Sequence, residues 1–165
     1  MLLGTMLEER GFDSQSQLIA AYQGRLEYHA RKRRLFLSFH AEDRSRVDEF
    51  RQLAADPNVD VEFYDGSLQV PLNSERADYI KKILRKRISR ASVAVCLIGN
   101  GTAWREWVDW ELNYALRLNK GICGVRFPNS YGHTPGILKE VAAPIAAWDH
   151  GGIIAAIECA AAKRS

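Results

Sequence analysis

Glu111 occupies a position where an amphipathic helix should carry a hydrocarbon. Over residues 104–118, helical spacing gathers Trp104, Trp107, Val108, Leu112, Ala115 and Leu118 on one face. Glu111 falls near the middle of that face, four residues after Trp107 and four before Ala115. The opposite face takes Arg105, Glu106, Asp109, Asn113 and Arg117, as a solvated face should. A carboxylate on a buried stripe is costly unless it is paired, hydrogen-bonded or opens into a cleft. Such a group can pair with an arginine or tie the helix to a strand. It can also supply the single negative charge that a bond-breaking reaction needs. Spacing alone leaves these two uses evenly matched.

One reaction class needs no more than one carboxylate: cleavage of an N-glycosidic bond whose leaving group is already cationic. Nicotinamide leaves NAD+ as a neutral molecule, so that step requires no general acid. The protein must grip the ribose and stabilise an oxocarbenium-like transition state with a nearby negative charge. An aromatic wall, here Trp104 and Trp107, can stack on a base and exclude water. Other chemistries lack their residues. The chain has no Walker A lysine loop, no G-x-G-x-x-G after the first strand and no G-x-S-x-G elbow. His29, His40, His133 and His150 are scattered without metal-ligand spacing, so neither a metal nor a resident cofactor is expected. His40 carries more weight than the others because it closes the first strand. A phosphorelay receiver would need an aspartate ending the third strand, and Gly99-Asn100 stands there instead.

The elements that must position Glu111 alternate as strand and helix from residue 34 onward. Residues 35–39 form a short apolar run, followed by polar residues 40–43 and a helix carrying Val47, Phe50, Leu53 and Ala54. Residues 59–63 alternate like an edge strand. After a loop over 64–72, Asn73 or Ser74 can cap a helix whose buried stripe is Ala77, Ile80, Leu84 and Ile88. Residues 92–98 are apolar without alternation, as a central parallel strand covered on both faces requires. Residues 99–102 turn into the Trp-rich helix, with Thr102 as its expected N-cap. Residues 121–127 and 144–148 read as fourth and fifth strands, and 152–162 as a closing helix.

This alternation predicts right-handed βαβ crossovers and an α/β domain over residues 34–165. Its expected frame is a flavodoxin-like parallel five-stranded sheet of order 2-1-3-4-5, with helices on both faces. Residues 1–33 read as an N-terminal helical extension, from Leu18, Ile19, Tyr22, Leu26 and His29 at helical spacing. Ligands of such sheets bind beyond the carboxyl ends of the strands. Those ends offer Ser38, Phe39 and His40, then Tyr64 and Asp65, then Asn100, then residues 126–128. The helix bearing Glu111 leaves directly from the third of them.

Composition narrows the partners. The 165 residues suffice for one domain with its own core, and no apolar run approaches the ~18 residues needed to span a bilayer. Residues 1–10 turn acidic too quickly for a secretory signal. Cys96, Cys123 and Cys159 lack CxxC spacing and read as small core residues in a reducing compartment, so a cytoplasmic protein without a membrane partner is expected. The net charge is +3, but positive charge is clumped at residues 31–34 and at Lys81, Lys82, Arg85, Lys86, Arg87 and Arg90. A nucleic-acid patch is one reading of those blocks. A solvated helix face is preferred, because Glu75 and Asp78 sit beside the second block and no aromatic residues interleave for base stacking.

Four stretches carry a resemblance to a known family: residues 35–40 (Leu-Phe-Leu-Ser-Phe-His), Asp43 with Arg46 and Val47, residues 92–99, and residues 107–111 (Trp-Val-Asp-Trp-Glu). Together they resemble the TIR-like proteins of the Thoeris antiphage system, and TIR domains generally. In TIR domains a Trp-x-x-x-Glu element on the helix after the third core strand carries the catalytic glutamate. The resemblance covers residues 34–127. It implies a TIR-like fold and an enzyme that cleaves NAD+ as substrate. The released ADP-ribose would become a nucleotide signal that activates a partner effector. It further implies Glu111 as catalytic carboxylate, Ser38, Phe39 and His40 lining the nucleotide pocket, and the 64–72 loop gating the site and mediating self-association. A non-catalytic TIR-like assembly module is the alternative, since many domains of this fold are scaffolds.

Overall fold

Alternation along buried strands sorts the core into two layers, and the layers decide which face receives Glu111. The computed structural model describes residues 33–56, 59–63 and 71–163. Its strands are β1 (Arg33–Ser38), β2 (Val59–Phe63), β3 (Val93–Ile98), β4 (Gly121–Arg126) and β5 (Ile145–Ala146). Its α-helices are α1 (Val47–Leu53), α2 (Glu75–Arg90), α3 (Glu106–Arg117), α4 (Gly136–Glu140) and α5 (His150–Ala162). Short 3₁₀ turns, Ala41–Arg46 and Thr102–Trp104, precede α1 and α3. The sheet runs β2-β1-β3-β4-β5 and every neighbouring pair is parallel. An α/β plan with a parallel sheet and helices is therefore observed. The expected N-terminal helical extension over residues 1–33 lies outside the described residues, apart from Arg33. That residue opens β1, one position before the expected boundary.

β3 holds the middle of the sheet with all six residues buried. Its odd-numbered side chains Val93, Val95 and Leu97 join Leu35, Leu37, Cys123 and Val125 in one cluster, sealed by Val47 and Phe50 of α1 and Ile153, Ala156, Ile157 and Ala160 of α5. Ala94, Cys96 and Ile98 join Phe36 and Ile122 on the other face, under Ile80, Leu84 and Ile88 of α2, Val108, Leu112 and Ala115 of α3, and Leu138 of α4. Burying each large side chain stabilises the fold by about 1.5–3 kcal/mol relative to leaving it in water. The α2 stripe of Ala77, Ile80, Leu84 and Ile88 is buried as its spacing predicts. Ser74 takes the N-cap position of α2, although its hydroxyl donates to the Pro71 carbonyl and caps no helical N–H.

Several element ends differ from expectation. Thr102 is not the cap of α3. Its hydroxyl is fully buried, accepts from the Gly99 N–H at 2.9 Å and donates to the Leu97 carbonyl at 3.2 Å, so it ties off the end of β3. The helix starts four residues later, after Arg105, without a side-chain cap. At its far end Asn119 takes a left-handed φ of 55°, and the Lys120 N–H returns to the Ala115 carbonyl. That reversal feeds β4 directly, so Leu118 lies beyond the helix and is 37% exposed instead of on the stripe. Cys159 is exposed on α5, whereas Cys96 and Cys123 are core residues. The helix α4 has no counterpart in the expected elements.

Candidate active site

The site begins with Ser38, the last residue of β1. Ser38 is fully buried, and its register partner is Cys96 on β3. Side chains alternate along a strand, so Ser38 shares the face of Phe36, which α2 and α3 cover. Glu111 descends onto that face from α3, between the buried Val108 and Leu112. The Ser38 hydroxyl donates to Glu111 Oε2 at 2.5 Å, a bond that spans 73 residues of chain. Glu111 itself is only partly buried. Removal of water from around the carboxyl pushes its pKa up to about 8, and the Ser38 hydrogen bond pulls in the opposite direction. Beneath the pair, burial first and the Glu111 charge second push the Cys96 thiol far above its ordinary range, so it is an inert floor.

His40 follows the strand by two residues and is 5% exposed. It caps the 3₁₀ turn at Ala41–Arg46, with Nδ1 accepting the Glu42 N–H at 2.9 Å. Asp43 packs its carboxylate against Gly99, where an added Cβ would stand 3.1 Å from the Asp43 carboxyl carbon. Burial raises the pKa of Asp43, while His40 and Arg46 pull it partly back. These contacts join the end of β1 to the end of β3.

The end of β4 closes the rim. Gly132 lies so close to the Gly99 and Asn100 backbone that a Cβ would stand 2.1 Å from the Gly99 carbonyl oxygen. Arg126 donates to the Gly132 carbonyl at 2.6 Å and to the Thr134 hydroxyl at 2.7 Å. The Asn100 carboxamide oxygen accepts the Tyr131 N–H at 3.0 Å and the Ser130 hydroxyl at 3.4 Å. Asn100, expected at the substrate rim, thus anchors the loop after β4. The sequence places Arg126 at the fourth strand end without a role there, and gives no signal for Gly132. The available signal was an arginine closing an otherwise apolar strand.

The other expected site residues separate. Trp107 is partly buried against the core layer under α3 and meets Trp110 edge-on at 5.9 Å. Trp104 does not join it on the buried stripe. The 3₁₀ turn ahead of α3 breaks the helical spacing there, so Trp104 is 74% exposed and touches His133 edge-on at 5.8 Å. Phe39 packs against the opposite core layer, with Leu35 and Leu37, because strand alternation turns it away from Ser38. It therefore does not line the Glu111 side of the sheet. Tyr64 and Asp65 lie outside the described residues, as does most of the 64–72 loop. Ser38, Glu111 and Trp107 remain on one side of the sheet, with His40 at its edge. Among the described residues no group of three or more His, Cys, Asp or Glu could hold a metal ion.

Residues 36–131 match the family model described as Thoeris protein ThsB, TIR-like domain. The chain belongs to this family of TIR-like domains. The match runs from β1 through the loop after β4, so it takes in Ser38, His40, Glu111 and the Asn100–Tyr131 contact. It leaves α4, β5 and α5 of this TIR-like domain outside. The solved structure of the CMP N-glycosidase BcmB from Clostridium botulinum is similar over 76% of this chain and 99% of its own, with 11% identity and a TM-score of 0.48. No curated protein matches the chain. Among the described residues no helix is long and apolar enough to cross a membrane.

Proposed function

We propose that this TIR-like domain cleaves the N-glycosidic bond of NAD+, releasing nicotinamide and making an ADP-ribose-derived nucleotide. The observation that carries the reading is the Glu111 carboxylate, partly exposed at the end of β1 and hydrogen-bonded to the Ser38 hydroxyl. An arginine partner would have neutralised that charge in place, and a hydroxyl does not. In the proposed step the bond from ribose C1′ to the pyridinium nitrogen breaks and its electron pair leaves with nicotinamide. The positive charge moves to the ribosyl group, where the Glu111 carboxylate stabilises it. Water, or a nucleophilic atom of the same nucleotide, then attacks C1′ and loses a proton. Without substrate, Glu111 favours its neutral form at pH 7 because of its raised pKa. A cationic nicotinamide riboside beside it favours the carboxylate, so the substrate supports the charge that acts on it.

Family membership supports placing this reaction in antiphage defence, where the product nucleotide would activate a partner effector in the cytoplasm, the compartment holding the NAD+ pool. The test is mass-spectrometric analysis of NAD+ incubated with wild type and Glu111→Gln. Nicotinamide and an ADP-ribose-derived product are expected from wild type alone, and equal turnover by the variant removes Glu111 from the mechanism. A second reading takes the short Ser38–Glu111 bond as a pin holding α3 to β1 in a non-catalytic assembly module. It predicts no nicotinamide from either protein and a lower melting temperature for Ser38→Ala.

A further inference from the structure

The two ring nitrogens of His40 have different surroundings. Nδ1 accepts the Glu42 N–H, so Nε2 is the nitrogen that carries the ring N–H. Nε2 is shielded from solvent and has no hydrogen-bond partner among the described residues. A buried donor left unpaired is unfavourable, and one at a ligand-binding rim is matched when the ligand arrives. Gly101 lies beside this ring. A side chain there would begin 3.4 Å from His40 Cδ2, 3.7 Å from His40 Nε2 and 3.7 Å from a terminal nitrogen of Arg105. The Gly101 backbone has φ −110°, which any residue adopts, so the glycine contributes space and not an unusual conformation. That space borders both an imidazole N–H donor and a guanidinium. Glu42, Asp43 and Glu106 neighbour these residues in sequence, so the spot suits an anion held by further contacts and not any anion in solution.

We infer that the His40 Nε2–H and the Arg105 guanidinium bind a phosphate group of the nucleotide substrate in the space left by Gly101. This rests on the nucleotide reading of the Glu111 site and specifies it: the ligand carries a 5′ phosphate or diphosphate, and a bare nucleoside lacks the second anchor. The spacing agrees. His40 follows Ser38 by two residues of extended chain, roughly 6–7 Å, comparable with the reach from a ribose anomeric carbon to its 5′ phosphate. A ribosyl group at Glu111 therefore places its phosphate near His40. The guanidinium supplies charge and paired donors, and the imidazole supplies one donor of fixed direction.

Three variants separate the contributions. His40→Asn keeps a side-chain acceptor for the Glu42 N–H and deletes the Nε2 donor. Arg105→Gln removes the charge, and Gly101→Val fills the space while leaving both donors in place. Titration calorimetry with ADP-ribose, and with inorganic pyrophosphate, reads binding without turnover, and the melting temperature of each variant checks its fold. Folded variants are expected to bind ADP-ribose about tenfold more weakly than wild type, the size of one lost charge-assisted hydrogen bond. Wild-type affinity in all three variants overturns the subsite, as does failure of wild type to bind ADP-ribose. Pyrophosphate, which lacks the ribosyl anchor, is expected to bind more weakly than ADP-ribose, and equal binding of the two also overturns it. Weakened binding in the variants together with no nicotinamide release from NAD+ by wild type leaves the phosphate subsite standing and removes the cleavage reading. Nicotinamide release with ADP-ribose binding indifferent to all three changes does the reverse.

Discussion

At the scale of single residues, the raised pKa of Glu111 links activity to stability. The proposed step needs the carboxylate, so kcat/KM for NAD+ is expected to rise with pH through a midpoint near 8, read from initial rates across pH 6–9.5. Ser38→Ala deletes the hydrogen bond that lowers the pKa, and should shift that midpoint to higher pH. A flat profile in both proteins contradicts a titrating Glu111. Stability runs the other way. The folded protein holds the Glu111 proton more tightly than the unfolded chain, whose carboxyl titrates near 4.5. The stability this contributes is full below about 4.5 and is lost as pH rises through about 8. Glu111→Gln, neutral throughout, should therefore melt higher than wild type at pH 9 by on the order of 1–3 kcal/mol equivalent, allowing for solvent at a partly exposed carboxyl, and match it at pH 4.5. Thermal melts at the two pH values decide it. Glu111 was legible in the sequence because a charge on an apolar stripe breaks a pattern. Trp104 is not legible in that way: helical spacing runs on through Thr102–Trp104, where the chain instead forms a 3₁₀ turn and leaves the ring exposed.

At the scale of elements, the ends of β3 and β4 are held by backbone contact, and this is where substitution should be least tolerated. Gly132→Ala places a methyl 2.1 Å from the Gly99 carbonyl oxygen and 2.7 Å from the Asn100 Cα, neither of which is a flexible side-chain tip. Relief requires the loop to lift, breaking the Arg126 bonds, at a cost on the order of 2–4 kcal/mol. Denaturant unfolding should show that loss, and NAD+ cleavage should fall with it. Asn100→Ala is expected to be milder, since one carboxamide oxygen is replaced by solvent at an exposed position. Long elements were legible from periodicity, as the α2 stripe shows. The five residues of α4 were not, because they bury only Leu138 and the reversal after the helix falls at Ala142, whose φ of 48° calls for a glycine or asparagine that the sequence does not supply. The faces of Phe39 and Ser38 were readable in principle from strand alternation. Residue 39 continues that alternation one position past β1, into the layer that α1 and α5 seal.

At the scale of the whole molecule, the basic block on α2 is partly committed within the fold. The Arg85 guanidinium lies 5.8 Å from the Trp110 ring and 5.9 Å from the Tyr114 ring, which stack on each other, and Lys81 donates to the Leu72 carbonyl at 3.1 Å. With a net charge of only +3, nucleic-acid binding tighter than about 10⁻⁵ M at physiological salt is not expected. Fluorescence anisotropy with single- and double-stranded DNA across a salt series would expose such binding if it exists. The frame is tied at the end of β1 away from the site by the Arg33–Glu158 ion pair, which joins the first residue of β1 to α5 through two hydrogen bonds of 3.1 and 3.0 Å.

The Ser38–Glu111 bond has a consequence for synthesis. Ser38 leaves the ribosome 73 residues ahead of Glu111, and β1 reaches its neighbour β3 only after α2 has been made. Parallel pairings of this kind close long loops and form late in folding. On the proposed activity, a nascent or truncated chain that stops short of α3 holds Ser38 without Glu111, and a misassembled one holds both residues unpaired. A cell translating this protein is then spared stray NAD+ consumption until β1, β3 and α3 have packed together.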